Sequence, residues 1–271
     1  MEGILTCVVA IFGYFMLIDF PDKAKRHKHF LTDAEVDFVV ARIDYDRADS
    51  APTEFKIKEY LANMGDLKVW AFAALFGLST TTTYAIAYFL PVILREGMGF
   101  DVAQAQCLVA PPFVAAGIWM YVQAVFSDKY RQRGLGIFVN AIITAVGMCL
   151  LGFVDNNGVR YFGVFLATMG SYANVPSVLT YQANNIRGQW KRALCSATLV
   201  GSGGIGGIIG STVFRQQDAP GYKWGIVTCI LANGLIVLIV AALTLKFKRA
   251  NKHVDNGGKI IEGQVGFKYT L

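Results

Sequence analysis

The chain is 271 residues long, 54% hydrophobic and 16% charged, with a mean hydropathy of +0.44. Soluble domains average about 25% charged residues, so this composition excludes an ordinary water-soluble fold. The net charge of +6 comes without a basic-aromatic cluster, which argues against nucleic acid as a partner. It reads instead as membrane topology and attraction to anionic lipid.

Apolar, charge-free runs recur along the chain: Gly3–Ile18, Val69–Leu94, Val102–Phe126, Leu135–Val154, Tyr161–Ile186, Ala193–Phe214 and Trp224–Leu245. The last six meet or approach the roughly 20 residues a helix needs to cross a bilayer, so the expected fold is all-α and polytopic. The first run is the exception. It is preceded by Glu2 rather than a basic segment and followed by DFPDKAKRHK, which is wrong for a signal peptide. It reads as the end of a membrane helix whose beginning lies upstream.

Segment 19–65 is the long polar stretch. Thr32-Asp-Ala-Glu35 has the spacing of a capping box, with Leu31 and Val36 placed as its hydrophobic staple. Val36, Val39, Val40 and Ile43 then mark one helical face, with Asp37, Asp44 and Arg47 off it. A second, weaker helix is expected over Phe55–Asn63. Both fit short amphipathic helices packed beneath the membrane.

Loop charge gives the orientation. Lys129, Arg131, Arg133, Arg187, Lys191, Arg192, Lys246, Lys248, Arg249 and Lys252 fall on one side, against Arg95, Arg160, Arg215 and Lys223 on the other. The positive-inside rule puts the ten-residue side in the cytoplasm, together with segment 19–65 and the C-terminus. Trp70, Trp190 and Trp224 stand at helix ends, where interfacial tryptophans belong.

Cys7, Cys107, Cys149, Cys195 and Cys229 each sit in a different apolar run, without metal-ligand spacing; they read as small apolar core residues. His27, His29 and His253 lie in polar segments, and no catalytic constellation forms. Neither an enzyme nor a cofactor is expected.

Gly201-x-Gly203-x-x-Gly206 has the spacing of a dinucleotide-binding fingerprint. That motif needs a strand before it and an acidic residue on a second strand after it. Here WKRALCSATLV precedes it and GIIGSTVF continues it, both membrane-like. Gly203 and Gly207, and likewise Gly206 and Gly210, are four apart, the spacing that lets two membrane helices approach closely. Seven helices also suit a receptor, but the roughly 50-residue first loop and the lack of Asp-Arg-Tyr, Asn-Pro and an outer cysteine pair weigh against it.

FSDKYRQRG, residues 126–134, resembles the short basic loop motif of the major facilitator superfamily. FPDKAKRHKHFLTDAE, YQANNIRGQWKRAL, GIGGIIGSTVF, DAPGY and the tail GFKYTL together resemble its fungal allantoate-permease-like branch of anion:cation symporters. Gln189-Trp190 departs from the smaller polar residues expected before Lys191-Arg192. The resemblance implies the C-terminal six-helix half of a facilitator fold. Residues 1–18 would be the end of helix six, 19–65 the central loop, 66–246 helices seven to twelve, and 247–271 a cytoplasmic tail. The implied partners are a small organic anion, a proton, the lipid bilayer and the missing N-terminal six helices.

Facilitators bind substrate near the midplane and rock two halves around it, so polar mid-helix residues are the candidates. Tyr84 and Tyr88 share one face, and Thr80 to Thr83 lie beside them, where bonding to their own helix is the plainer role. Asn174 is the leading candidate for a substrate contact, with interhelical hydrogen bonding as the alternative; Gln182 and Asn185 serve binding or gating. Gln123 suits gating or packing. Asp128 ends a helix, where the dipole disfavours an anion, so it wants a cation or another helix's N-terminus. The resemblance makes it a latch, with Arg131 and Arg133 nearby. Gly203 and Gly207 would allow helix sliding. The six complete spans hold no Asp, Glu, Lys, Arg or His at depth. Proton coupling and the anion's countercharge therefore fall to the first six helices. A non-transporting half-size protein, a sensor or remnant, is the other reading.

Overall fold

The computed structural model describes residues 2–17, 31–47, 57–219, 221–258, 260–263 and 266–271. The chain divides into two compact units, residues 1–54 and 55–271. In the first, α1 (Glu2–Met16) is apolar and exposed along most of its length. Its 15 residues fall short of a full crossing. Helix α2 (Asp33–Arg47) begins at the expected cap: the Thr32 N–H and hydroxyl both donate to Glu35 Oε2, each at 2.8 Å. Those two bonds, the backbone one foremost, hold the Glu35 carboxyl below its ordinary value. Val36 is buried and Val39 and Val40 are half-buried. Ile18, most of FPDKAKRHKHFLTDAE and positions 48–56 lie outside the described residues, as do the side chains of Asp44 and Arg47.

The second unit opens with α3 (Ile57–Ala62) and a 3-10 turn over Asn63–Gly65; Phe55 and Lys56, the start of the expected second helix, lie outside the described residues. Six long apolar helices follow: α4 (Leu67–Val92), α5 (Val102–Tyr130), α6 (Arg133–Phe153), α7 (Asn157–Asn185), α8 (Gln189–Val213) and α9 (Lys223–Asp255). Each is long and apolar enough to span a membrane. Their boundaries follow local chemistry. Asp66 caps α4 by accepting from the Lys68 N–H at 3.0 Å, and Asn156 caps α7 by accepting from Gly158 N–H at 2.9 Å. Helix α4 contains Pro91 and loosens into a π-helical turn over Ile93–Gly97. Helix α5 stops where Arg131 turns left-handed at φ 51°.

Helix α8 packs chiefly on α4, α6 on α7 and α9, and α5 on α7. The alternating direction of the spans brings the 127–134 loop, the α7–α8 turn and the C-terminal segment to one end, here called the basic end. Two apolar clusters stack along the bundle. Phe72, Ile137, Tyr181, Leu199 and Phe247 build the one towards the basic end. Leu94, Met148, Leu151, Phe214 and Ile226 build the other.

Candidate functional site

Between the two clusters the bundle interior turns polar. Thr80, Thr81 and Thr82 of α4, Thr144 of α6, Thr168, Ser171 and Asn174 of α7, and Asn233 of α9 are all buried at this level. Most are satisfied within the protein. Thr80 Oγ1 donates to the Phe76 and Gly77 carbonyls of its own helix, and also lies 3.2 Å from Gly203 O across the α8 seam. Thr83 Oγ1 reaches Ser79 O at 2.9 Å and Ser171 O at 3.2 Å. The Asn233 amide donates to Thr82 Oγ1 at 3.1 Å. The threonines therefore fasten helices, and Asn233 and Thr144 join a layer that sequence reasoning missed. Asn and Thr isolated in apolar runs gave the one available signal.

Asn174 is different. It is 1% exposed, and neither its amide nitrogen nor its carbonyl oxygen has a hydrogen-bond partner. A buried amide left unpaired costs about 1–3 kcal/mol, and native structures rarely tolerate one without water, a ligand or a second conformation. It lies three residues from Ser171, about 4.5 Å along the helix, and so close to the level of the Thr83 contact.

Tyr84 and Tyr88 stack with ring centroids 5.9 Å apart. They do so on the outside of α4, 41% and 58% exposed. The structure thus does not bring them together with Asn174, which lies nearer the basic end on α7. Tyr172 of α7 meets Phe113 of α5 edge-on at 5.0 Å. The sequence had not singled out this second aromatic pair.

Gln182 is buried with an unpartnered Nε2. Asn185, one turn nearer the basic end, is fully engaged: its amide donates to Tyr181 O at 2.9 Å, and its Oδ1 accepts from the Thr270 N–H at 2.8 Å. The sequence grouped Asn185 with the binding candidates; the fold gives it to the C-terminal segment. Gln123 accepts from Ser177 Oγ at 2.9 Å and donates to Ser127 Oγ at 3.1 Å, locking α5 to α7.

The glycines with the fingerprint spacing all lie inside α8, with α-helix before and after them. A Cβ on Gly203 would strike the Phe76 ring at 2.5 Å, and one on Gly207 would touch the Tyr84 ring at 3.2 Å. The approaches to backbone lie three residues further along in each case. A Cβ on Gly206 would overlap Gly77 O and Thr80 Oγ1, and one on Gly210 would lie 2.5 Å from Thr81 O. The backbone-to-backbone seam therefore belongs to Gly206 and Gly210, while Gly203 and Gly207 accommodate rings. Gly163 and Gly170 of α7 meet α6 as closely, a second seam not anticipated.

At the basic end Asp128 pairs with Arg133, the first residue of α6. A carboxylate at the end of α5 thereby gains a cation from within this chain. Asp128 remains 66% exposed in its side chain. Arg131 forms the left-handed turn, and its N–H lies 3.4 Å from Asp128 O.

The family model for the Major Facilitator Superfamily matches residues 1–211. This chain belongs to that superfamily. It is 29% identical to the major facilitator-type transporter hxnP of Emericella nidulans, over 98% of this chain and 54% of that protein. It is 28% identical to the MFS-type transporter cnsO of Penicillium expansum, over all of this chain and 53% of that protein. Against the high-affinity nicotinic acid transporter of Saccharomyces cerevisiae it is 29% identical, over 69% of this chain and 35% of the yeast protein. The chain spans about half the length of the curated relatives that it matches along its whole length. Membership and six apolar spans make it an integral, multi-pass membrane protein.

Proposed function

We propose that this chain is the C-terminal half of a proton-coupled symporter of the fungal allantoate-permease-like branch. It would move a small organic anion of the allantoate, nicotinate or pantothenate type across the plasma membrane, working with an N-terminal six-helix half. Residues 1–18, 19–65, 66–246 and 247–271 would be the end of helix six, the central loop, helices seven to twelve and the tail. The basic end, central loop and tail would face the cytoplasm.

The observation that carries the reading is Asn174, a buried amide with both polar atoms free in the middle of α7. An amide offers one donor group and one acceptor, which suits a carboxylate or ureide once the helices part. The exposed Tyr84–Tyr88 stack supplies an aromatic surface one to two turns further from the basic end, and Gln182 a further buried amide nearer it. The yeast relative's printed name, a nicotinic acid transporter, supports a small aromatic anion. With no ionisable residue in the middle of the six spans, the titrating group and the anion's countercharge belong to the other half.

The test expresses residues 1–271 alone and together with a matching first six helices. Uptake of labelled nicotinate, allantoate and pantothenate is then followed under an imposed proton gradient. Accumulation should need both halves and fall as external pH rises. In the paired protein Asn174→Val should raise KM about tenfold while leaving thermal stability unchanged or higher, because it removes an unpaired buried amide. Gradient-driven accumulation by residues 1–271 alone would refute the half-transporter reading. Uptake by neither arrangement would favour the non-transporting alternative.

A further inference from the structure

We propose that residues 260–263 and 266–271 act as an intramolecular ligand, and that the basic ends of five helices form its binding site. Glu262 is the anchor. Its carboxylate, 5% exposed, pairs with Lys68 of α4, accepts from Lys191 of α8 at 2.9 Å, and accepts from the Tyr269 hydroxyl at 2.9 Å. Asp66 completes the cluster, 2.8 Å from Lys191. The next anchor is Tyr269. Its backbone N–H and C=O pair with the two sides of the Asn251 amide of α9, each at 2.8 Å, and its ring stacks on Phe247 at 4.3 Å. The Thr270 N–H then donates to Asn185 of α7, and Leu271 O accepts from Gly134 N–H of α6 at 3.1 Å. The Arg187 guanidinium covers Phe267 at 4.8 Å.

Two features separate this from a tail lying on a surface. The contacts reach five helices and tie α8, which packs on α4 but little on α9, to the α6–α7–α9 group. The segment also adopts backbone that must be held. Glu262 is left-handed at φ 51° without being glycine, between turns at Gly257, Gly263 and Gly266, all at positive φ. A residue with a Cβ disfavours this conformation, which persists where the surroundings over-determine it. Here it places the carboxylate between the two lysines. The segment works as a clasp: seated, it keeps the basic ends of α4, α6, α7, α8 and α9 in one register; released, it frees the basic end of α8 and the ends joined to it to open locally.

Cys195 of α8 reports seating directly, because it is fully buried and shares its apolar cluster with Tyr269 and Leu271. With the other four cysteines replaced by alanine, alkylation of Cys195 by N-ethylmaleimide is timed in detergent-solubilised protein. Deleting residues 260–271 should raise the rate about tenfold or more, as expected when a group of charged hydrogen bonds no longer opposes local opening. A synthetic peptide of residues 258–271 should restore protection, and the same peptide carrying Glu262→Gln should not. Should the deletion fail to accumulate, the full-length Glu262→Gln and Asn251→Ala variants should each raise the rate severalfold. Protection that is unchanged in those variants would overturn the clasp, as would a Cys195 that reacts freely in the intact chain.

Discussion

Replacing Gly206 by alanine should cost far more than the same change at Gly207, although the two are neighbours in one helix. An alanine Cβ at 206 would overlap Gly77 O and Thr80 Oγ1 and lie 3.0 Å from the Gly77 carbonyl carbon. Non-bonded heavy atoms settle near 3.5–4.0 Å, so α4 and α8 must separate by about 1 Å. That separation stretches two bonds across the seam: Ser202 Oγ to Ala73 O, now 2.6 Å, and Thr80 Oγ1 to Gly203 O, now 3.2 Å. Overpacking costs about 1–3 kcal/mol, and interhelical bonds in membranes average about 0.6 kcal/mol each. Together these come to about 2–4 kcal/mol. At 207 the Cβ meets the edge of an exposed Tyr84 ring at 3.2 Å, which can swing away. Alanine there also gains up to about 1 kcal/mol of helix propensity. Thermal unfolding of purified protein in one detergent compares them: Gly206→Ala should melt on the order of 5–10 °C lower, and Gly207→Ala should match the parent. Equal melting temperatures for the two variants would show that the seam is not closed by backbone contact at Gly206.

Cysteines placed in 127–134 should be shielded from impermeant reagents in intact cells, while those in 155–159 or 216–219 should label; labelling of the first loop from outside would reverse the orientation. Asp128→Asn removes the pairing with Arg133, and in the two-half protein it should shift the balance between inward- and outward-facing states, read as altered reactivity of cysteines on either side. Clasp seating should also depend on acid. Burial alone would raise the Glu262 and Asp66 carboxyls, but bonding from Lys68 and Lys191 outweighs it and holds both below the ordinary carboxylate range. The Tyr269 hydroxyl, which also faces Glu262, is raised by burial and that carboxylate. Carboxyls depressed in the folded state contribute stability above their unfolded value of about 4 and lose it as pH falls through the lower folded value. A spin label at Lys268→Cys should therefore stay immobile from neutral pH to about 5 and gain mobility in stronger acid; mobility independent of pH would contradict the ion cluster.

Some of this protein was legible in its sequence, because the bilayer imposes one rule per segment. Apolar runs of spanning length, separated by basic or neutral loops, must be helices whose backbone bonds close internally. That rule places α4 to α9 and excludes a dinucleotide fold around Gly201 to Gly206 without any tertiary information. Thr32 and Glu35 set the start of α2 through contacts three residues apart. What the sequence left open depends on facing, since a polar residue in an apolar helix looks the same whether it bonds its own turn, a neighbour or nothing. Packing made Asn174 an unpartnered amide, turned Asn185 towards the tail, and put Tyr84 and Tyr88 on the outside of α4. Packing also divided the two glycine pairs, giving the backbone seam to Gly206 and Gly210 and ring contacts to Gly203 and Gly207, because residues three apart on a helix face about 60° away from each other. The clasp lay furthest from view. Glu262 meets Lys68 across 194 positions, and no local spacing encodes a contact that exists solely because six spans bring both residues to the same end.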